Sequence, residues 1–333
     1  MDKRNKVSSK DVAREAGVSQ ATVSYVLNNT KNIKIRPETR QTVLDAAKRL
    51  NYHPSHIARG MKLKKSMTVG IITDRSVTNY NFMKTLEGIK DGLQQHNYAI
   101  TLLFNKPDDR LNSEMLEYYN TYRLDGIIFS FSLVDDQTKD ELNERGIPYV
   151  IVDSHATGKG AHEVGTDHLD HLPALAASFK LKGAVRLAYV GPLWKHKIDP
   201  RLEAFDQAID SNDLYNSGCF LCPFNDEQIT KTIKELLDRE DRPEGILAGN
   251  PRYGFYVLKL AARIGLKVPE DLMVASLGNS NYHELCHPSM TAVELPLYDM
   301  GYHGATILVD LMNDKVTEDL TVLPSEIVMR ESL

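Results

Sequence analysis

The chain has 333 residues, of which 42% are apolar and 26% charged, with 3 Cys and a formal net charge of −5. Such a length suggests about two or three domains, and the composition excludes a disordered, collagen-like or coiled-coil chain. No apolar run approaches the ~18 residues a membrane span needs, the charged start MDKRNKVSSKDV lacks the apolar centre of a secretory signal, and three cysteines point to a reducing cytoplasm rather than a disulfide scaffold.

The charge is unevenly placed. Residues 1–66 hold 15 Lys and Arg against 5 Asp and Glu, a net of +10, while the remainder holds 25 against 40, a net of −15. A basic head on an acidic body is expected to meet a polyanion at one end only.

The pattern over residues 8–28 predicts two short helices. Ser8 suits an N-cap, with Val12 and Ala16 on one face of the first helix. Gly17 permits a tight turn, and Ser19 caps a second helix over about Gln20–Asn28. Val23, Val26 and Leu27 form its apolar side, backed by Val18. Gln20, Ala21, Ser24, Tyr25 and Asn28 share the opposite face, which is polar and nearly uncharged. Such groups suit base edges: a Gln amide bonds adenine, and an Ala methyl meets a thymine methyl. Pro37 fits the first turn of a third helix running to Leu50, with Val43, Leu44, Ala47 and Leu50 inward. Three short helices with a glycine turn describe a helix-turn-helix unit. After Pro54 comes a helix too short to hold alone. It carries Met61 among Arg59, Lys62, Lys64 and Lys65, and an apolar side chain amid cations suits insertion into a minor groove. Without DNA the same stretch is a linker.

Beyond Lys65 short apolar runs alternate with amphipathic stretches. Strands are expected at Thr68–Ile72, Ala99–Phe104, Gly126–Phe131, Tyr149–Val152, Leu187–Val190, Gly245–Ala248 and Leu272–Leu277. Helices are expected at Phe82–His96, Ser113–Tyr122, Leu172–Lys182, Glu227–Arg239, Arg252–Ile264 and Asp299–Asn313. This alternation predicts βαβ units and parallel sheets, in two blocks divided near Gly165. Two α/β lobes with a cleft between them can close on a small ligand.

The segments DVAREAGVSQATVSYVLN, ETRQTVLDAAKRLNYHP and IARGMK closely resemble the LacI/GalR family of bacterial transcription regulators, and further matches run through the body: DGII, GIPYVIVD, GLKVPED, PSMTAV and the final Arg330-Glu-Ser. The resemblance implies an α/β fold: an N-terminal helix-turn-helix head plus a two-lobed core of parallel sheets, similar to a periplasmic binding protein. It implies a helix-turn-helix domain at 1–53, a hinge helix and linker at 54–66, and an effector-binding and dimerisation core at 67–333. The first lobe would take about 67–165 plus a C-terminal return, the second about 166–296. By the same resemblance Gln20, Ala21 and Tyr25 read bases, while Ser8, Ser19, Thr22, Ser24, Asn28, Thr39 and Tyr52 support DNA contact. Ser55, Ala58 and Arg59 belong to the hinge, and Met61 stands where a Leu usually wedges between base pairs. Tyr25 replaces a frequent Arg, Ser55 a frequent Asn, and Arg36 stands where a Ser cap is common.

Pocket positions carry over less completely. Asp153, Arg201 and Asn250 match positions that bond a sugar effector, and Trp194, the single Trp, lies beside the expected cleft. Yet Pro251, Gly278 and Leu295 stand where relatives offer polar groups. The expected effector is therefore not a common free monosaccharide but a modified or larger carbohydrate, or a ligand bringing an anionic group to Arg201.

Other strings carry weaker chemistry. His283-Glu-Leu-Cys-His287 spells the zinc-protease pattern HExxH, but Pro288 leaves little room for the helix it needs, and no third ligand is evident. Cys219-Phe-Leu-Cys222 reads as an apolar strand with buried, inert thiols. His155, His162, His168 and His171 have no metal-ligand spacing. The expected function is a sequence-specific transcription regulator, a repressor, in the cytoplasm and on the nucleoid. It binds a palindromic operator as a homodimer and responds to a small effector, with no catalytic residues, metal or cofactor and no membrane partner. With no heptad segment before Leu333, a dimer is expected rather than a tail-built tetramer. The alternatives are a ligand-binding protein without DNA function and a metal-dependent enzyme.

Overall fold

Three helices build the head: α1 (Ser9–Ala16), α2 (Gln20–Leu27) and α3 (Pro37–Arg49). The structure, a computed structural model, describes residues 7–27, 33–52, 65–104, 113–121, 123–132, 134–153, 162–193 and 199–333. The chain divides into two units, one of Met1–Met67 with Thr121–Leu124 and one of Thr68–Asn120 with Asp125–Leu333.

In the head, the Asp11 carboxylate accepts from the Ser8 backbone N–H at 2.9 Å and from its hydroxyl at 2.7 Å, which fixes the start of α1. Gly17 ends it in the left-handed region at φ 63°, where a side chain would be strained. The Ser19 hydroxyl oxygen accepts from the Thr22 N–H at 3.1 Å and so caps α2. Val12, Ala13, Val23, Val26, Val43, Ala46 and Ala47 form the core. Leu44, expected inward, is 41% exposed. From Val43 the helical period continues through Ala46, Ala47 and Leu50, and Leu44 falls outside that stripe.

The larger unit has two lobes. The first contains β1 (Thr68–Thr73), α4 (Tyr80–Gln94), β2 (Ala99–Phe104), α5 (Ser113–Asn120), β3 (Gly126–Ser130), α6 (Asp136–Glu144), β4 (Tyr149–Val152) and β5 (His162–Thr166). The second contains α7 (Leu172–Leu181), β6 (Arg186–Pro192), α8 (Pro200–Ser211), β7 (Tyr215–Cys222), α9 (Asp226–Leu237), β8 (Gly245–Ala248), α10 (Pro251–Arg263), β9 (Met273–Leu277), the single turn α11 (Tyr282–Leu285) and β10 (Thr291–Glu294). The chain then adds α12 (Leu297–Leu311) and β11 (Leu320–Leu323) to the first lobe and β12 (Glu326–Val328) to the second.

The sheets run β11-β5-β4-β3-β1-β2 and β12-β10-β9-β8-β6-β7. Every recorded pairing is parallel except β12 against β10. Strands β3, β4, β8 and β9 are buried along their whole length, as central strands covered by helices on both faces must be. Helix α12 docks on α4 through backbone. A Cβ on Gly301 would collide with the Thr85 carbonyl, and one on Gly88 with the Tyr298 carbonyl. Among the described residues, no helix is long and apolar enough to cross a membrane.

Candidate nucleic-acid interface and effector cleft

Helix α2 buries Val23 and Val26 and turns Gln20 and Ala21 to solvent, with Ser24 and Tyr25 half-buried on the way round. The Gln20 amide donates to the Ser9 hydroxyl oxygen at 2.8 Å, which ties the first residue of α2 to the first residue of α1. Ser19 and Thr22 pair through their hydroxyls at 2.9 Å. Ser8 and Ser19 are thus both cap residues, and each remains exposed. Thr39 lies in the first turn of α3, half-buried. Tyr52 packs against the head core and donates its N–H to the Ala47 carbonyl at 2.8 Å, so it also closes the end of α3. Asn28, Ser55, Ala58, Arg59 and Met61 lie outside the described residues.

In the body, each sheet reverses its strand order once, between β1 and β3 and between β6 and β8. Open parallel sheets bind ligands beyond the C-terminal strand ends at such points. At the second point Gly249 and Asn250 follow β8, and Asp199, Pro200 and Arg201 open α8. The Arg201 guanidinium donates through Nε to Asp199 Oδ1 at 2.7 Å, through Nη2 to Asp199 Oδ2 at 2.8 Å, and through Nη1 to the Gly249 carbonyl at 2.8 Å. Asp199 Oδ1 also accepts from the Arg201 backbone N–H at 3.1 Å and caps α8. Both residues are buried, at 8% and 4% exposure. The expectation of an anionic ligand for Arg201 thus meets a guanidinium whose fork already holds a carboxylate. Asp199 is a further residue of this site, and its signal in the sequence is the Asp-Pro start of a helix.

Asp153 follows β4, half-buried, and its charge acts on Arg201. Asn250 caps α10, its side-chain oxygen accepting from the Arg252 N–H at 2.9 Å. Pro251 and Leu295 are the side chains that a Cβ on Gly278 would meet. The three positions that lack the usual polar groups therefore form one apolar patch. Tyr189 on β6 was not anticipated. It is fully buried, its hydroxyl has no hydrogen-bond partner among the described residues, and burial pushes its phenol above the usual range. Its ring fits because residues 191 and 249 are glycines, and a Cβ at either would strike it. At the matching point of the first sheet, the Ser132 hydroxyl donates to Asp74 at 3.1 Å. Trp194 lies outside the described residues. A recess of about 400 Å³ lies at the crossings between lobes, lined in part by Tyr80, Lys84, Asn279, Glu294 and Ser325; none of Asp153, Arg201 and Asn250 lines it.

The HExxH string does not place its histidines together. His283 is fully buried, its Nε2 2.9 Å from the Ser276 hydroxyl and its Nδ1 accepting from the Ser280 N–H at 3.0 Å. Burial, with the Arg330 charge, pushes its pKa down to about 4. His287 lies beyond the single turn of α11, its side chain 94% exposed. Cys222 is buried, but Cys219 is exposed, contrary to the expectation of two buried thiols. Desolvation of its sulfur and the charges of Asp206 and Asp199 still push the Cys219 thiol up to about 11. His162 and His171 bond the backbone carbonyls of Glu318 and Ser325, and His168 is buried; His155 lies outside the described residues.

Residues 9–55 match the family described as bacterial regulatory proteins, lacI family, and residues 176–333 match the periplasmic binding protein-like domain. The chain is 31% identical over 325 residues to catabolite control protein A of Staphylococcus aureus, spanning 96% of this chain and 97% of that protein. It is 29% identical over 335 residues to the protein of the same name from Staphylococcus xylosus, again covering 96% and 97%. Its fold is similar to that of a lac repressor dimer bound to operator and the anti-inducer ONPF, with a TM-score of 0.84, 20% identity, and 98% and 99% of the two chains covered. It is also similar to the regulator CelR in complex with cellobiose, with a TM-score of 0.70, 23% identity, and 98% and 99% covered.

Proposed function

The chain belongs to the lacI family of bacterial regulatory proteins and is a DNA-binding transcription regulator, and from that premise we propose that it is a repressor that holds a palindromic operator as a homodimer. The observation that carries this reading is the outer face of α2. A packed valine core presents Gln20, Ala21, Ser24 and Tyr25, all uncharged, from a segment whose net charge is +10. Phosphates then supply the affinity, and uncharged side chains discriminate bases. Gln20, Ala21 and Tyr25 read base edges. Ser8, Ser19, Thr22, Ser24, Asn28, Thr39 and Tyr52 position the head on the backbone. Ser55, Ala58, Arg59 and Met61 act in the minor groove at the operator centre, Met61 as the wedge. A two-fold dimer requires two-fold symmetry in its site, and the lac repressor neighbour is a dimer on its operator. The protein works in the cytoplasm, on the nucleoid when bound.

The core takes a small carbohydrate-like effector, and Asp153, Trp194, Arg201 and Asn250 are the residues proposed to contact it; the CelR neighbour is a complex with cellobiose in a similar fold. Closing two lobes on a ligand changes the separation of the two hinge segments in the dimer, and so couples the cleft to the operator. The alternatives fare worse. A transport-type binding protein has no use for the basic head, and the zinc-enzyme string places one histidine inside the fold and the other outside. Fluorescence anisotropy with a selected operator tests the reading. A saccharide that binds the core should change operator affinity by about tenfold; saccharides that bind the core and leave operator affinity unchanged would contradict it.

A further inference from the structure

We propose that Asp199 sets the charge class of the effector, making the cleft selective for uncharged polyhydroxylated ligands against their phosphorylated or acidic counterparts. The inference rests on the cleft being the effector site. Its basis is a balance of charge at one buried place. Arg201 is a buried cation at the second lobe's strand-reversal point, and a guanidinium there would pair with a phosphate or carboxylate through two parallel bonds. In this chain the partner is internal. Asp199 takes Nε and Nη2 at 2.7 and 2.8 Å, and the Gly249 carbonyl takes Nη1 at 2.8 Å.

The pair is not a mobile surface contact. The Asp199 side chain is 3% exposed and that of Arg201 10%. Asp199 is also held in place by capping α8, since it accepts the Arg201 backbone N–H. Displacing it with a ligand anion would strand a carboxylate in the interior and uncap the helix together. Asp153 adds a second carboxylate that acts on Arg201. Among the described residues these three charges sum to −1, which opposes an entering anion where an open guanidinium would attract it. An uncharged ligand does not meet that repulsion.

The test uses the full-length protein and calorimetry with glucose, maltose and cellobiose, glucose 6-phosphate, glucuronate and inorganic phosphate. For the wild type, no anionic compound binds more tightly than its neutral parent, and inorganic phosphate gives no binding heat. Asp199→Asn and Asp199→Ser keep a capping oxygen and remove the charge. Each should gain about tenfold or more for inorganic phosphate and glucose 6-phosphate, as expected for removing a unit charge a few ångström away at intermediate dielectric. Adding Arg201→Met to Asp199→Ser should erase that gain. A wild type that prefers glucose 6-phosphate or glucuronate to glucose overturns the proposal, as does a failure of both folded variants to gain. If no neutral saccharide binds the wild type but both variants gain phosphate through Arg201, the role of Asp199 stands and the carbohydrate reading of the cleft falls.

Discussion

Replacing Arg201 by Ala removes the partner of a buried carboxylate. Asp199 would keep its cap to the α8 backbone but lose both guanidinium bonds, and the Gly249 carbonyl would lose its donor. The Asp199 side chain is 3% exposed, so its carboxylate stays within the fold without its cation. Breaking a buried pair from one side costs about 3–5 kcal/mol, whereas replacing both partners by groups of similar volume is often near neutral. The single variant Arg201→Ala should therefore destabilise the core by about 3–5 kcal/mol. The double variant Asp199→Asn with Arg201→Ala should cost less than the sum of its two single variants, by a coupling of at least about 2 kcal/mol in the double-mutant cycle. Urea unfolding followed by circular dichroism measures this, with the core transition fitted separately because head and core are distinct units. An Arg201→Ala cost below about 1 kcal/mol, or additive single and double variants, would refute the buried-pair argument. Loss of effector response in Arg201→Ala then reports core instability together with any lost ligand contact, and the charge variants at Asp199 separate the two.

Other outcomes follow from the same contacts. Gln20→Ala should weaken binding mainly at one base pair, by about 1–3 kcal/mol, measured on a set of operators each changed at one position; equal loss on every sequence would show that Gln20 does not read bases. Gly301→Ala forces a methyl against the Thr85 carbonyl and should cost about 1–3 kcal/mol of core stability, seen as a lowered Tm; an unchanged Tm would mean that α4 and α12 are not in backbone contact. His283 titrates near 4 when folded and near 6.5 when unfolded. The unfolded chain thus binds the extra proton first, so the contribution is present above pH 6.5 and lost as pH falls to 4, up to about 3 kcal/mol. In His283→Gln that slope of stability against pH should flatten, and a slope identical to wild type would assign the acid sensitivity elsewhere.

Much of the fold was readable because its central elements are repetitive. Strands β2, β4 and β8 match the expected limits, since each is a short, mainly apolar run closed by a turn-forming or polar residue, Asn105, Asp153 and Gly249 respectively. Three strands toward one side of each sheet, β5, β11 and β12, were not legible. His162–Thr166 reads His-Glu-Val-Gly-Thr, and Leu320–Leu323 and Glu326–Val328 are short and half-exposed; tertiary pairing, not pattern, makes them strands. Helix α6 was missed because Asp136–Glu144 is mostly polar. It docks partly through a buried ion pair between Lys139 and Glu163 on β5, at 3.1 Å, which no hydrophobic period reveals. In the head, the caps Ser8 and Ser19 and the turn at Gly17 followed from local chemistry, while Leu44 turned outward because the inner stripe of α3 runs through Val43, Ala46, Ala47 and Leu50. In the cleft, the loss of polar groups at Pro251, Gly278 and Leu295 was legible one residue at a time. Their meeting in one patch, and the closing of Arg201 by Asp199, depend on side chains brought together by the fold.

The central claim is that the head reads a palindromic operator for a symmetric dimer. Selection of bound sites from random DNA by the full-length protein tests it directly. The enriched sites should share an inverted repeat with a fixed centre. No enrichment, or enrichment of an asymmetric site with no second half, would contradict the account.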